Sequence, residues 1–272
     1  MSKEELMSAI KNFDKVIEIE PNNAEAYHFR GIAKHEMDDE LGAIEDYNKA
    51  IELEPDNTDA IFNRGNAYFD IEKYDEAISN YSMVIEIEPD AYDAYMIRGK
   101  AKAATEDYLG AIQDVKKSIE LEPNDPESYV LLGHIKINIE NYDAAMKSFD
   151  KAIEIDDKYT EAYISRANLK SQLNDFSGAL AEFSRALLIT PDEPEIFLSR
   201  GLMFLDYDDP KSAIKDFNRV IKFVPDSFIA FYYRGRAKDL VGDEEGASAD
   251  FARAQEIDPE GFKDFEEFDL NM

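Results

Sequence analysis

Eight alanines stand 34 residues apart along the chain, at Ala9, Ala43, Ala77, Ala111, Ala145, Ala179, Ala213 and Ala247. Three more series keep the same step. Prolines recur at Pro21, Pro55, Pro89, Pro123, Pro191, Pro225 and Pro259, with Asp157 in the one remaining slot. Glycines recur at Gly31, Gly65, Gly99, Gly133, Gly201 and Gly235, with Ala167 in the gap. Four residues after each alanine comes Phe13, Tyr47, Tyr81, Val115, Phe149, Phe183, Phe217 or Phe251. A fixed period of this length means one supersecondary unit copied end to end, each copy burying its apolar face against the next.

Within a repeat the apolar spacing is helical. Ile61, Gly65 and Tyr68 mark a first helix, and Tyr74, Ala77, Ile78, Tyr81, Val84 and Ile85 mark a second after a break near Glu72. Pro89 then stops the second helix, because proline cannot continue one. Glycine inside a helix costs roughly 1 kcal/mol against alanine. Accepting it repeatedly predicts close helix–helix approach at those positions.

These landmarks resemble the tetratricopeptide repeat. The resemblance implies an all-α, right-handed superhelical solenoid of antiparallel helix pairs. The expected organisation is a half repeat over 1–23, seven full repeats over 24–57, 58–91, 92–125, 126–159, 160–193, 194–227 and 228–261, and a capping tail over 262–272. Where the family has Trp, this chain has Tyr27, Ile61, Tyr95, Tyr129, Tyr163, Phe197 and Phe231. Leu6, Ile10 and Phe13 in the half repeat are expected to be open to another copy, and Phe262, Phe265 and Phe268 fall where a further first helix begins.

One pattern lies outside the family landmarks. Arg30, Arg98, Arg166, Arg200 and Arg234 are each followed sixteen residues later by an acid, namely Asp46, Asp114, Glu182, Asp216 and Asp250. Leu132 and Ser148 take the two places in the fourth repeat, and Arg64 faces the neutral Asn80 in the second. The spacing predicts Arg–carboxylate bridges between paired helices, a structural role.

The family resemblance implies a ligand groove lined by the second, fifth, sixth, ninth, twelfth and thirteenth positions of each repeat. The second position gives an acidic lane of Glu25, Asp59, Asp93, Glu127, Glu161 and Glu195. The fifth gives an apolar lane of His28, Phe62, Met96, Val130, Ile164, Leu198 and Tyr232. With Asn66, Leu202, Leu205 and Tyr233 these form the expected partner-binding groove, its C-terminal half the stickiest. The carboxylate clamp that one branch of the family uses needs Lys at a second and a fifth position, and no repeat supplies either.

The net charge of −30, from 60 acidic and 30 basic residues, disfavours nucleic acid and anionic membrane surfaces and steers in a basic partner. Apolar runs are too short to cross a membrane. With no cysteine and no secretory signal, the expected setting is cytoplasmic. His28, His35 and His134 form no metal-binding motif, and the chain has no nucleotide-binding glycine motif. The expectation is a non-enzymatic scaffold without cofactors or metals, holding a protein or peptide with apolar and basic anchors. The alternative is a self-assembling scaffold joined through its N-terminal half repeat or C-terminal tail.

Overall fold

The computed structural model describes residues 2–270, with side chains through Phe265. Within them the chain is all-α. After α1 (Lys3–Ile19) come seven pairs: α2 (Ala24–His35) with α3 (Glu40–Leu53), α4 (Thr58–Asp70) with α5 (Tyr74–Ile87), and α6 (Tyr92–Ala104) with α7 (Tyr108–Leu121). They continue with α8 (Pro126–Asn138) and α9 (Tyr142–Ile155), α10 (Thr160–Gln172) and α11 (Phe176–Ile189), α12 (Pro194–Asp206) and α13 (Pro210–Phe223), and α14 (Phe228–Leu240) and α15 (Glu244–Ile257). Last is α16 (Pro259–Leu270). The chain forms two compact units, residues 1–148 and 149–272, divided within α9.

The turn inside each pair is built the same way. Asp38, Glu72, Glu106, Glu140, Asn174, Asp208 and Gly242 all take a left-handed backbone conformation, with φ between 57° and 81°. The next residue then sends its N–H back to a carbonyl five residues earlier, as in Asp107 N to Lys102 O at 2.9 Å. This closes the first helix in a Schellman-type cap. In most pairs that same residue also starts the second helix with its side chain. Asp39, Asp107, Asp175 and Asp243 each accept from a glycine N–H three residues on. A single residue therefore ends one helix and caps the next, which fixes the hairpin angle without a glycine in six of the seven turns.

The helical glycines do admit close approach, and what approaches is mostly a ring. A Cβ on Gly65 would lie 2.7 Å from Tyr81 Cε1, and one on Gly201 would lie 2.6 Å from Phe217 Cε1. These rings are fully buried, beside alanines that are also at zero exposure. At Gly99 the opposing side chain is Val115, and the Ala111 carbonyl comes nearer too.

Consecutive pairs share their cores. In the first unit Ala43, Ile44 and Tyr47 of α3 pack with Ala67 of α4, and Ala77 and Tyr81 of α5 pack with Ala101 of α6. In the second unit Ala213 and Phe217 of α13 pack with Ala237 of α14. No pair could bury this face alone.

All five expected Arg–carboxylate bridges are present. In the first unit Arg98 Nε and Nη2 donate to the two Asp114 oxygens at 2.8 and 2.7 Å, and Arg30 holds Asp46 in the same manner. In the second unit Arg200 and Arg234 hold Asp216 and Asp250 bidentately. Arg166 differs because its partner is the longer Glu182: only Nη2 bonds it, and the buried Nε is left without a partner. The structure adds two links that the spacing did not suggest. A lysine one turn on (Lys34, Lys102, Lys170 or Lys238) joins the same carboxylate in four of these bridges. The arginine Nη1 also reaches backward to the preceding second helix, at Asp14, Ser82, Asp150 and Asn218. Each such arginine stitches three helices.

The ends differ from expectation. Leu6 is buried, and Ile10 and Phe13 are half-buried, with the Phe13 ring 6.0 Å from that of Phe29. Phe13 meets α2 and Leu6 is covered, so the three are not the open face that the half repeat suggested. The tail continues as α16, where Phe262 is buried and Phe265 meets Phe228 and Tyr232 at 5.2 and 5.1 Å. The Phe268 side chain and residues 271–272 lie outside the described set.

Candidate functional site

In the first unit α4 and α6, with His35 of α2 and Glu127 of α8, line an open cleft of about 480 Å³. Its floor is apolar. Phe62 and Met96 come from the fifth positions and line it together with Tyr81, whose ring centroid is 5.5 Å from that of Phe62. Tyr81 is held there by its hydroxyl, which donates to Asn66 Oδ1 at 2.9 Å. Burial pushes that phenol well above its ordinary range, so it stays neutral and acts as a fixed donor. Ile97 and Phe69 extend the apolar surface.

The rim is charged. Asp93 and Glu127 of the acidic lane line the cleft with Asp70, against the ammonium of Lys100. Lys100 Nζ sits 5.5 Å from the centroid of Phe69. His35 closes one edge, with Nε2 2.7 Å from Asp70 Oδ2. Apolar floor and carboxylate rim together suit a side chain that is greasy along its length and cationic at its end.

Below the cleft edge, Asn63 Nδ2 lies 3.0 Å from His28 Nε2. In this amide orientation Asn63 donates and Nε2 of the imidazole accepts. Burial pulls the His28 pKa below its ordinary value, opposed by the nearby Asp59 and Glu25 carboxylates.

Family models for the tetratricopeptide repeat match residues 58–91, 92–125, 126–159 and 164–228, and one for the TPR repeat matches 42–71. The chain belongs to the tetratricopeptide-repeat family. Among solved structures it is similar to MamA, at 25% identity and TM-score 0.53, covering 59% of this chain and 94% of that one. A tetratricopeptide repeat protein from Parabacteroides merdae matches at 20% identity and TM-score 0.70, over 89% of this chain and 96% of that one. Yeast Tom70 matches at 19% identity and TM-score 0.80, over 98% of this chain and 58% of Tom70. No curated protein sequence matches. Tetratricopeptide repeats of this kind support a protein-interaction scaffold, and such scaffolds are generally non-enzymatic. No helix among the described residues is long and apolar enough to cross a membrane.

The tetratricopeptide register places the two sequence lanes very differently. The acidic lane is exposed: Glu25, Asp59, Asp93 and Glu127 in the first unit, Glu161 and Glu195 in the second. Although Glu195 is exposed, partial desolvation by the surrounding protein, then the neighbouring Glu161 and Glu193 charges, raise its carboxyl above its ordinary value. The apolar lane is mostly core. His28, Met96 and Val130 are buried in the first unit, as are Ile164 and Tyr232 in the second, while Phe62 and Leu198 are half-buried. A fifth-position side chain packs toward the second helix of its own pair, as Tyr232 does at 5.7 Å from Phe251. The strip expected to be exposed is therefore closed over most of its length.

In the expected C-terminal hot spot only Tyr232 is buried, and Leu198, Leu202, Leu205 and Tyr233 are half-buried. Leu198, Leu202, Leu205 and Tyr233 pack around the Ala213, Phe217 and Ala237 core of the second unit. Tyr232 is covered by Phe262 and Phe265 of α16. Sequence reasoning named the ninth, twelfth and thirteenth positions as groove positions but did not single out Lys100, Phe69 or Asp70, which occupy them in the cleft. The sequence carried no signal that could single out Lys100, because the ninth position of the seven repeats reads Ile32, Asn66, Lys100, His134, Asn168, Leu202 and Arg236.

Proposed function

We propose that the first unit holds a segment of a partner protein in the cleft between α4 and α6, with an apolar side chain seated over Phe62, Met96 and Ile97. The observation that carries this reading is the pairing of an apolar floor with the exposed carboxylates Asp70, Asp93 and Glu127 on one recess of about 480 Å³. A half-buried apolar recess ringed by charge can take an apolar anchor, and an acidic rim draws in a basic partner at rates that fall with salt. The chain's overall negative charge acts in the same direction.

A photo-crosslinking amino acid at position 100 tests this in cell lysate, with the same group at the exposed position 116 on α7 as reference. The expected result is a distinct crosslinked peptide from position 100, lost when Asp93→Lys and Glu127→Lys are added. Identical crosslinks from both positions, or none from position 100, would remove the cleft as the binding site.

A further inference from the structure

We infer, resting on the cleft reading above, that the occupant places a Lys or Arg beside its apolar anchor, and that Lys100 holds the place of that cation in the free protein. Four lysines on the first helices serve the arginine bridges, Lys34 and Lys102 in the first unit and Lys170 and Lys238 in the second, each bonded to a buried carboxylate at 2.6–2.8 Å. Lys100 is used differently. It is exposed, two residues before Lys102 on the other side of α6, and its ammonium rests on the face of Phe69. A cation on an aromatic face gains about 0.5–1 kcal/mol at an exposed site and more once desolvated.

That geometry identifies a cation subsite from its own contents. Phe69 supplies the π face, its ring oriented by the Tyr74 ring 5.2 Å away in edge contact. Asp70, Asp93 and Glu127 supply the field, three carboxylates against the Lys100 ammonium and the His35 imidazole that bonds Asp70. Even with Lys100 in place the recess stays net negative, so a second cation is attracted. Lys100 is a flexible chain that can swing to solvent while keeping its charge. An arriving guanidinium is planar, weakly hydrated and stacks on rings better than an ammonium does. It takes the Phe69 face and pairs with the rim, while its neighbouring apolar side chain reaches Met96 and Ile97. Arginine is therefore preferred over lysine, and both over a neutral isostere.

The test uses the full chain and two small probes, N-acetyl-leucyl-arginine amide and its isosteric citrulline counterpart, titrated at millimolar concentration while the Met96, Ile97 and Phe69 resonances are followed by NMR. The arginine probe is expected to bind at least about threefold more tightly than the citrulline probe. Lys100→Gln should strengthen arginine-probe binding by a further factor of about three, while Lys116→Gln, the same charge change on α7, should leave it nearly unchanged. Equal binding of the two probes at the cleft overturns the cation subsite and leaves the cleft reading standing. Equal strengthening by Lys100→Gln and Lys116→Gln overturns the placeholder role, because only the general field would then be acting. If neither probe moves the cleft resonances, both the subsite and the cleft reading fall.

Discussion

Arg98 grips Asp114 with both arms of its fork, at 2.8 and 2.7 Å, from a site where the two side chains are only 16% and 7% exposed. Lys102 bonds the same carboxylate at 2.7 Å. Removing the acid leaves two cations crowded in a poorly solvated seam, so Asp114→Ser should destabilise the chain by about 3 kcal/mol. The fourth repeat shows how the seam does without a bridge, with Leu132 and Ser148 in these places and Lys136 still present. Arg98→Leu added to Asp114→Ser should recover at least half of the loss. Denaturant midpoints of the three variants check this, and a double variant worse than the single one would count against it.

Gly65→Ala should lower stability by about 1 kcal/mol. The new methyl meets the Tyr81 ring at 2.7 Å, and that ring is fully buried and tethered to Asn66. Overpacking of this kind costs about 1–3 kcal/mol, against a gain in helix propensity of about 1 kcal/mol. Gly242→Asn, by contrast, should change stability by less than about 1 kcal/mol. Nothing lies within 4 Å of its Cβ position, and six other turns hold Asp, Glu or Asn in the same left-handed conformation. Thermal melts of the two variants separate the packing glycine from the turn glycine.

Mild acid should weaken the fold through His28. Its folded-state pKa lies below the ordinary value because the ring is buried. As pH falls through about 6.5 the unfolded chain takes up the proton first, so stability declines from there down to the depressed folded value. His28→Gln keeps an acceptor for Asn63 without a titrating ring, and should flatten stability between about pH 7 and pH 5.5. An unchanged slope in urea titrations across that window would exclude His28 as its source.

Charge reversal at Asp93 and Glu127 should weaken binding of a basic partner about tenfold at low salt and flatten the salt dependence, with the thermal melt unchanged because both residues are exposed. Affinity measured at two ionic strengths decides it. Leu198→Asp with Tyr232→Asp is a different kind of change: Tyr232 is 3% exposed and packed by Phe262. That pair should lower the melting temperature by burying unpaired charge, and so reports on the core.

What depends on position along a helix was legible in the order of residues. The 34-residue period placed the first-helix starts from Ala24 to Phe228, and the sixteen-residue separation of Arg98 and Asp114 predicted a bridge across one hairpin. The glycine series announced the seats of Tyr81 and Phe217. Local rules suffice there, because a helix of known register puts those residues opposite one another whatever surrounds it. The left-handed turns at Glu72 and Glu106 were not legible, since neither carries the glycine that usually marks them; the Schellman bond compensates for the strain at both, joined after Glu106 by the Asp107 cap. Exposure was decided by the tertiary structure alone. Met96 and Asp93 are three residues apart on one helix, yet one is buried and the other open. What separates them is the neighbouring helix that each side chain meets, and that depends on how the pairs pack. The cleft of Phe69, Asp70 and Lys100 exists for the same reason: it draws on residues from different repeats, brought together only when those repeats stack.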